Sequence, residues 1–299
     1  MKINYIVFIA ATLLLVSCKK EAKFANSDRS VDKVQTVVDT SAQAEVQSDE
    51  RVDLKQLVTM YADRKEFIKL LLTQSTREEA DSIYDMYAEE NMLLLSRMYR
   101  TEDNMLEHFY DYFYDGQKKI TPPDSIQRKV VMLKNVGLDL CEQGEGYVDI
   151  CVPHDYYYNI FKLYVTPDYK EFIRINAEED KEFYAIDAGL HVTFEQVSER
   201  ILNWENFTLK YPKTKLKEKA RDLYRSYQTD YLFGMDNTPS MDRTTGKLEE
   251  ENIIEYNRFI AKNPKSFTSK LAKILLDNNG AGYDKLKALI EKEQNNYFK

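Results

Sequence analysis

Two stretches near the C-terminus read almost as copies of one another. WENFTLKYPKTKLKEKARDL, residues 204–223, aligns without gaps on YNRFIAKNPKSFTSKLAKIL, residues 256–275, at an offset of 52. Trp204 matches Tyr256, Phe207 matches Phe259, Lys210 matches Lys262, Pro212-Lys213 matches Pro264-Lys265, Thr214 matches Ser266 and Ala220 matches Ala272. In each copy the aromatic and the Phe three residues on share one helix face, and the proline ends that helix. Thr214 or Ser266 caps the next helix, whose small Ala lets the pair approach closely. The unit is an αα-hairpin, and hairpins of this kind stack on one another.

Aromatic-x-x-Phe, then Pro-Lys-Thr/Ser, then Ala on the second helix is similar to the tetratricopeptide-like repeats of envelope lipoproteins, such as the helical lipoprotein subunit of the outer-membrane β-barrel assembly machinery. The resemblance covers residues 194–232 and 250–277. A usual repeat of this type spans about 34 residues, and residues 233–251, FGMDNTPSMDRTTGKLEEE, supply the excess. The resemblance implies a concave face that holds extended peptides or partner proteins. It carries over no ligand-contacting residue, because the matched positions are packing residues.

The N-terminus has its own signature. Lys2, an apolar run from Tyr5 to Val16, and Ser17 directly before Cys18 form the charged start, short apolar core and small-residue site of a secretory signal over residues 1–17. The run is shorter than the roughly 20 residues needed to span a bilayer. Leu15-Val16-Ser17-Cys18 resembles a bacterial lipobox, which implies cleavage before Cys18 and diacylglycerol on its sulfur; an ordinary signal with an incidental cysteine is the alternative. Lys19 and Lys20 stand where the inner-membrane retention signal has Asp, so the resemblance implies a lipid-anchored protein of the outer membrane facing the periplasm, with the cell surface as the other location. Residues 18–50 are poor in large apolar groups and read as a flexible tether with a reach of about 30 Å.

Only nine Gly and seven Pro in 299 residues point to a mainly helical chain. A net charge of −8 argues against nucleic acid as a partner. Residues 51–136 read as an N-terminal antiparallel helical bundle, with stripes at Leu54, Leu57, Val58, Tyr61, Ile68, Leu71 and Leu72, then at Ala80, Ile83, Tyr84, Tyr87, Leu94, Leu95 and Met98. Ser75 with Glu78 predicts a capping box, Thr101 the start of a third helix closed by Gly116, and Asp124 with Gln127 a further cap. In residues 137–152, Leu138 and Leu140, then Val148, Ile150 and Val152, alternate at period two around a Gly-Glu-Gly turn, the only strong strand signal. Residues 153–299 return to helix, with Thr166-Pro167 and Thr193-Gln196 as starts. The expected fold is therefore mainly α: a helical bundle, one small β-hairpin and tetratricopeptide-like αα-hairpins.

Candidate chemistry is sparse. Cys141 and Cys151 flank the hairpin turn and read as a disulfide or as two buried thiols, with metal or redox chemistry the weaker reading because the spacing is not Cys-x-x-Cys. His108, His154 and His191 lie far apart, and no hydrolase or phosphate-binding motif is present. No catalytic residue, metal ligand or cofactor is assigned. The acids of AEEDKEF (177–183) and KLEEEN (247–252) read as solvated helix faces, with an acid pair for glycoside hydrolysis as the weaker alternative, and the loop 235–247, with Asp236, Asn237 and Asp242, as a flexible surface insertion or else a partner-contacting loop, lacking the EF-hand ligand order. Twenty-two Tyr against one Trp reads first as helix packing and second as a groove for a glycan or peptide. In PHDYYYNIFKLYV, Tyr157, Ile160, Phe161 and Tyr164 share the core face, leaving Tyr156 and Tyr158 as the residues to face a ligand. The leading expectation is a non-catalytic interaction scaffold or accessory subunit held to the membrane by its lipid; the others are a glycan- or peptide-binding lipoprotein and, more remotely, an envelope hydrolase.

Overall fold

Asp53 and Gln56 each accept the other's backbone N–H, and this capping box opens α1 (Leu54–Leu72). The protein is described by a computed structural model over residues 52–109, 122–144 and 146–299. Cys18, the signal and tether segments, and the expected helix end at Gly116 lie outside the described residues. α2 (Arg77–Glu107) starts from a Thr76–Glu79 box, one residue beyond the Ser75–Glu78 pair. Ser75 instead turns its hydroxyl back to the Leu71 carbonyl. Nor does Thr101 begin a new helix. Neither Gly nor Pro interrupts the chain around it, and its hydroxyl donates to the Arg97 carbonyl at 2.9 Å inside a continuous α2.

α3 (Asp124–Asn135) follows Pro122-Pro123 without a side-chain cap, since Gln127 donates to the Pro122 carbonyl rather than closing a box with Asp124. Gly137, at φ +86°, ends it as expected. β1 (Asp139–Gly144) and β2 (Tyr147–Cys151) form an antiparallel hairpin in which Leu140 pairs with Ile150 and Cys141 with Asp149. Val148 and Ile150 are buried against α2. Cys141 and Cys151 share the opposite face and are joined as a disulfide, with Cα atoms 6.0 Å apart.

After α4 (Tyr156–Phe161), Thr166 precedes α5 (Pro167–Glu179), its first helical residue a proline. The Thr166 hydroxyl and backbone N–H are bound by the buried Asp81 of α2. The C-terminal region is built from two helical hairpins, α6 (Phe194–Lys210) with α7 (Lys217–Phe233), and α8 (Glu250–Lys262) with α9 (Phe267–Asp277), followed by α10 (Tyr283–Tyr297). α6 opens on the expected Thr193–Gln196 box. Trp204 and Tyr256, Phe207 and Phe259, and Ala220 and Ala272 are all buried. The repeat extends to the backbone: the residues that end the first helices, Tyr211 and Asn263, adopt φ/ψ of −124°/61° and −129°/56°, each donating to the carbonyl of the matched Phe.

Each helical hairpin is preceded by a two-residue β-ladder that period-two alternation was too short to signal. β3 (Ala185–Ile186) pairs with β4 (Gly189–Leu190), and β5 (Gly234–Met235) with β6 (Thr238–Pro239). The first turn holds Asp187 and Ala188 at φ 48° and 52°, as a two-residue primed turn requires. The two ladders meet: the Asn237 N–H donates to the Ala188 carbonyl at 3.0 Å and the Leu190 N–H to the Thr238 hydroxyl at 2.9 Å. Residues 235–247 lie at the surface, with Asp236, Asn237, Pro239 and 242–245 exposed, but are anchored to the body. Met241 and Leu248 are buried and bridge each other, Asp242 accepts from the Thr244 and Thr245 N–H groups, and the Gly246 and Thr245 carbonyls accept from the Gly280 and Gly282 N–H groups. One continuous core runs from Leu54 to Ile290 through the helices and the β1–β2 hairpin.

Candidate functional site

The tyrosine excess is first a feature of the core. Tyr156 is buried, its ring stacked near Tyr61 and Tyr87 at 6.0 and 6.4 Å between centroids, its hydroxyl bonded to that of Tyr87. Tyr156, read as ligand-facing from the sequence, thus has most of its ring in the core, while its remaining exposed edge lines a cleft with Lys65 and Ile160. It is the first residue of a six-residue α4 set directly after the hairpin, so its ring turns into the α1–α2 seam. Tyr158 is half-buried beneath the Lys162 ammonium, 5.2 Å from its ring centre. Tyr84 meets Tyr157, Phe161 and Tyr169 edge-on, the geometry that ring quadrupoles favour. Burial raises the pKa values of Tyr61, Tyr84, Tyr87, Tyr156 and Tyr169, and that of Tyr157 to about 12, so these phenols are neutral.

The acids at 177–183 divide between two environments. Glu178 is a solvent-facing partner of Lys181, but Glu179 is buried rather than solvated. Trp204 Nε1–H donates to Glu179 Oε1 at 2.9 Å and the Tyr227 hydroxyl to Oε2 at 2.9 Å, while Arg200 holds the Glu179 carbonyl at 2.9 Å and lies over the rings of Tyr184 and Tyr227. Tyr184 in turn donates to Asp230 at 2.8 Å. The network joins α5, α6 and α7. Desolvation outweighs those donors and the Arg200 charge and pushes the Glu179 pKa up to about 7.

A raised carboxyl pKa means that the folded state holds the proton more tightly than the unfolded chain. The resulting stability is present near the unfolded value and is lost as pH rises towards 7. Thermal unfolding of the parent should therefore fall in midpoint between pH 5 and pH 8, with Glu179 supplying up to about 3 kcal/mol of the change. Glu179→Gln, which preserves an acceptor for Trp204, should flatten that profile. Asp180 and Asp230, also raised by burial, leave a residual slope of the same sign. A profile unchanged by the substitution would show that Glu179 does not titrate there.

An exposed apolar face lies on α1 and α2. Met60, Phe67 and Leu93 are 47%, 51% and 56% exposed and line a groove of about 560 Å3. Residues 60, 64 and 67 of α1 and 86, 90, 93 and 97 of α2 recur at helical spacing, so each helix presents a second stripe beside the one that enters the core. The groove is crossed by a bidentate pair, Arg64 Nε to Glu90 Oε2 at 2.6 Å and Nη2 to Oε1 at 2.9 Å, with the guanidinium 5.2 Å from the Phe67 ring centre. Asp63 and Arg97 complete its rim. The sequence hid this face because Met60, Phe67 and Leu93 fall within apolar runs that the core stripe already accounts for.

The remaining candidates are not brought together. His154 is bonded through Nδ1 to the Ala177 carbonyl at 3.1 Å, His191 meets the Phe183 ring edge-on, and His108 ends α2. Asp236 pairs with Arg243, Asn237 binds the Asp187 carbonyl, and Asp242 caps its own turn. Among the described residues, no group of three or more His, Cys, Asp or Glu is placed to hold a metal, and no helix is long and apolar enough to cross a membrane. No protein-family model, curated protein or solved structure matches the chain.

Proposed function

We propose that this chain is a lipid-anchored envelope protein, acylated at Cys18 and held at the outer membrane on the periplasmic side, that acts as a non-catalytic scaffold or accessory subunit. Its body docks an envelope protein through the exposed face of α1 and α2. The observation that carries this reading is the groove of Met60, Phe67 and Leu93, more than an isolated exposed side chain and bordered by both signs of charge. A partner presenting an apolar ridge edged by mixed charges fits it. The stacked hairpins of residues 194–277, similar to tetratricopeptide-like repeats, support the same class of role.

The test is affinity capture from detergent-solubilised membranes. The parent should recover one reproducible partner, and Phe67→Glu combined with Leu93→Glu should reduce recovery by tenfold or more (about 1.4 kcal/mol) while leaving the melting temperature within a few degrees. In the same fractionation, Cys18→Ala should move the protein from membranes to the soluble fraction. Equal recovery by parent and double variant would overturn the docking face; membrane retention of the Cys18 variant would overturn the anchor.

A further inference from the structure

A second concavity lies between α1, the Gly137 turn and α4, with a volume of about 580 Å3, inside the range of roughly 300–1,000 Å3 typical of small-molecule sites. Its walls are mostly apolar: Leu72, Pro153, Ile160, Leu163 and Tyr164. Its charged lining is Lys65, Lys69 and Asp155. Lys69 is paired with Glu66 at 2.8 Å, and Asp155 accepts from Asn159 at 2.7 Å. Among the described residues no carboxylate lies within ion-pair distance of Lys65. The neighbouring pairs are Lys69 with Glu66 and Arg64 with Glu90.

Lys65 is held in place without being neutralised. Its ammonium donates to the Val136 carbonyl at 3.1 Å and stands 5.4 Å from the Tyr156 ring centre. Gly137 makes the room, since a Cβ there would come within 3.2 Å of the ammonium. A carbonyl dipole and a ring face satisfy part of a lysine's hydrogen bonding but leave its unit charge. Burial, and after it the neighbouring Lys69 charge, lower the Lys65 pKa against a smaller opposing pull from Glu66, as expected of a cation that has lost water and has no carboxylate in contact. A chain of net charge −8 that keeps such a cation at the wall of an apolar cleft has a place for a negative ligand.

We infer that this cleft binds a small organic monoanion with an apolar body, its anionic head on Lys65 and its body along Ile160, Leu163 and Tyr164. One charge is favoured over two because Lys69 is already paired and Asp155 repels a second. The site is separate from the α1–α2 docking face and stands or falls independently of it.

The probe is octanoate, with octanamide as the neutral isostere, titrated calorimetrically into the chain from residue 18 onward carrying Cys18→Ala. Octanoate should bind saturably and octanamide about tenfold more weakly, the difference a charge-assisted contact supplies. Lys65→Gln should abolish that preference. Leu163→Glu, at a position 74% exposed, adds a like charge at the mouth without touching the core and should weaken octanoate about tenfold at unchanged melting temperature. Phe67→Glu should change nothing. Absence of saturable octanoate binding, equal binding of acid and amide, or parent-like binding by the Leu163 variant would overturn the assignment.

Discussion

Trp204→Ala is expected to lower the unfolding free energy by about 3–5 kcal/mol, a drop in melting temperature of roughly 6–20 °C for a body of this size. Trp204 is fully buried between Phe172 and Phe207, with ring centres 5.2 and 5.8 Å away, so truncation leaves a cavity where α5 meets α6. The loss is also polar, because Glu179 forfeits its indole donor and remains buried with one hydroxyl partner. Trp204→Phe separates the two effects. It restores most of the volume but not the donor and should cost about 1–3 kcal/mol. Circular dichroism against temperature reads both variants; a cost below about 1 kcal/mol for the alanine variant would contradict the packing described.

Gly234→Ala should be comparably severe although it adds a single methyl group. Gly234 ends α7 and begins β5 at φ 67° and ψ −173°, a region essentially confined to glycine. A Cβ built there would stand 2.2 Å from the Thr238 carbonyl oxygen and 2.6 Å from the Ser240 nitrogen. Those are backbone atoms of β6 and the residue after it and cannot swing aside as a side chain would. The expected cost is about 3 kcal/mol or more, read from denaturant midpoints. Gly280→Ala, where φ is +82° but nothing lies within 4 Å, separates backbone strain from collision and should cost less.

The repeat was legible because its signals are local: an aromatic pair, a proline and a small residue at fixed spacing. For the same reason the αα-hairpins, the Thr193 cap and the Gly137 stop follow from the chain alone. The cap at Thr76 and the continuity of α2 were not legible. Neighbouring Ser75 and Thr76 have equivalent partners three residues on, and Thr101 has the same donor chemistry in a helix interior as at a cap. The short ladders at 185–190 and 234–239 depend on contact with each other. The burial of Glu179 and Tyr156 depends on Trp204, Tyr227, Tyr61 and Tyr87, which are distant in sequence. Candidate surfaces are hardest of all, because an exposed Phe67 and a buried Ile68 differ by one position and not in chemistry.

The seam between the two repeats has a further consequence. The Glu205 carboxylate of α6 receives the Ser266 hydroxyl at 2.6 Å and the Phe267 N–H at 2.8 Å, Arg258 of α8 reaches back to Glu195 at 3.1 Å, and the paired turns close the opposite edge. In a stack whose stability is a sum of unit terms and nearest-neighbour terms, contacts at both edges shift weight from the units to their junction. Opening one hairpin alone therefore breaks contacts that the other also relies on. The two hairpins are then expected to unfold together, so that a substitution at Glu205 lowers protection in both.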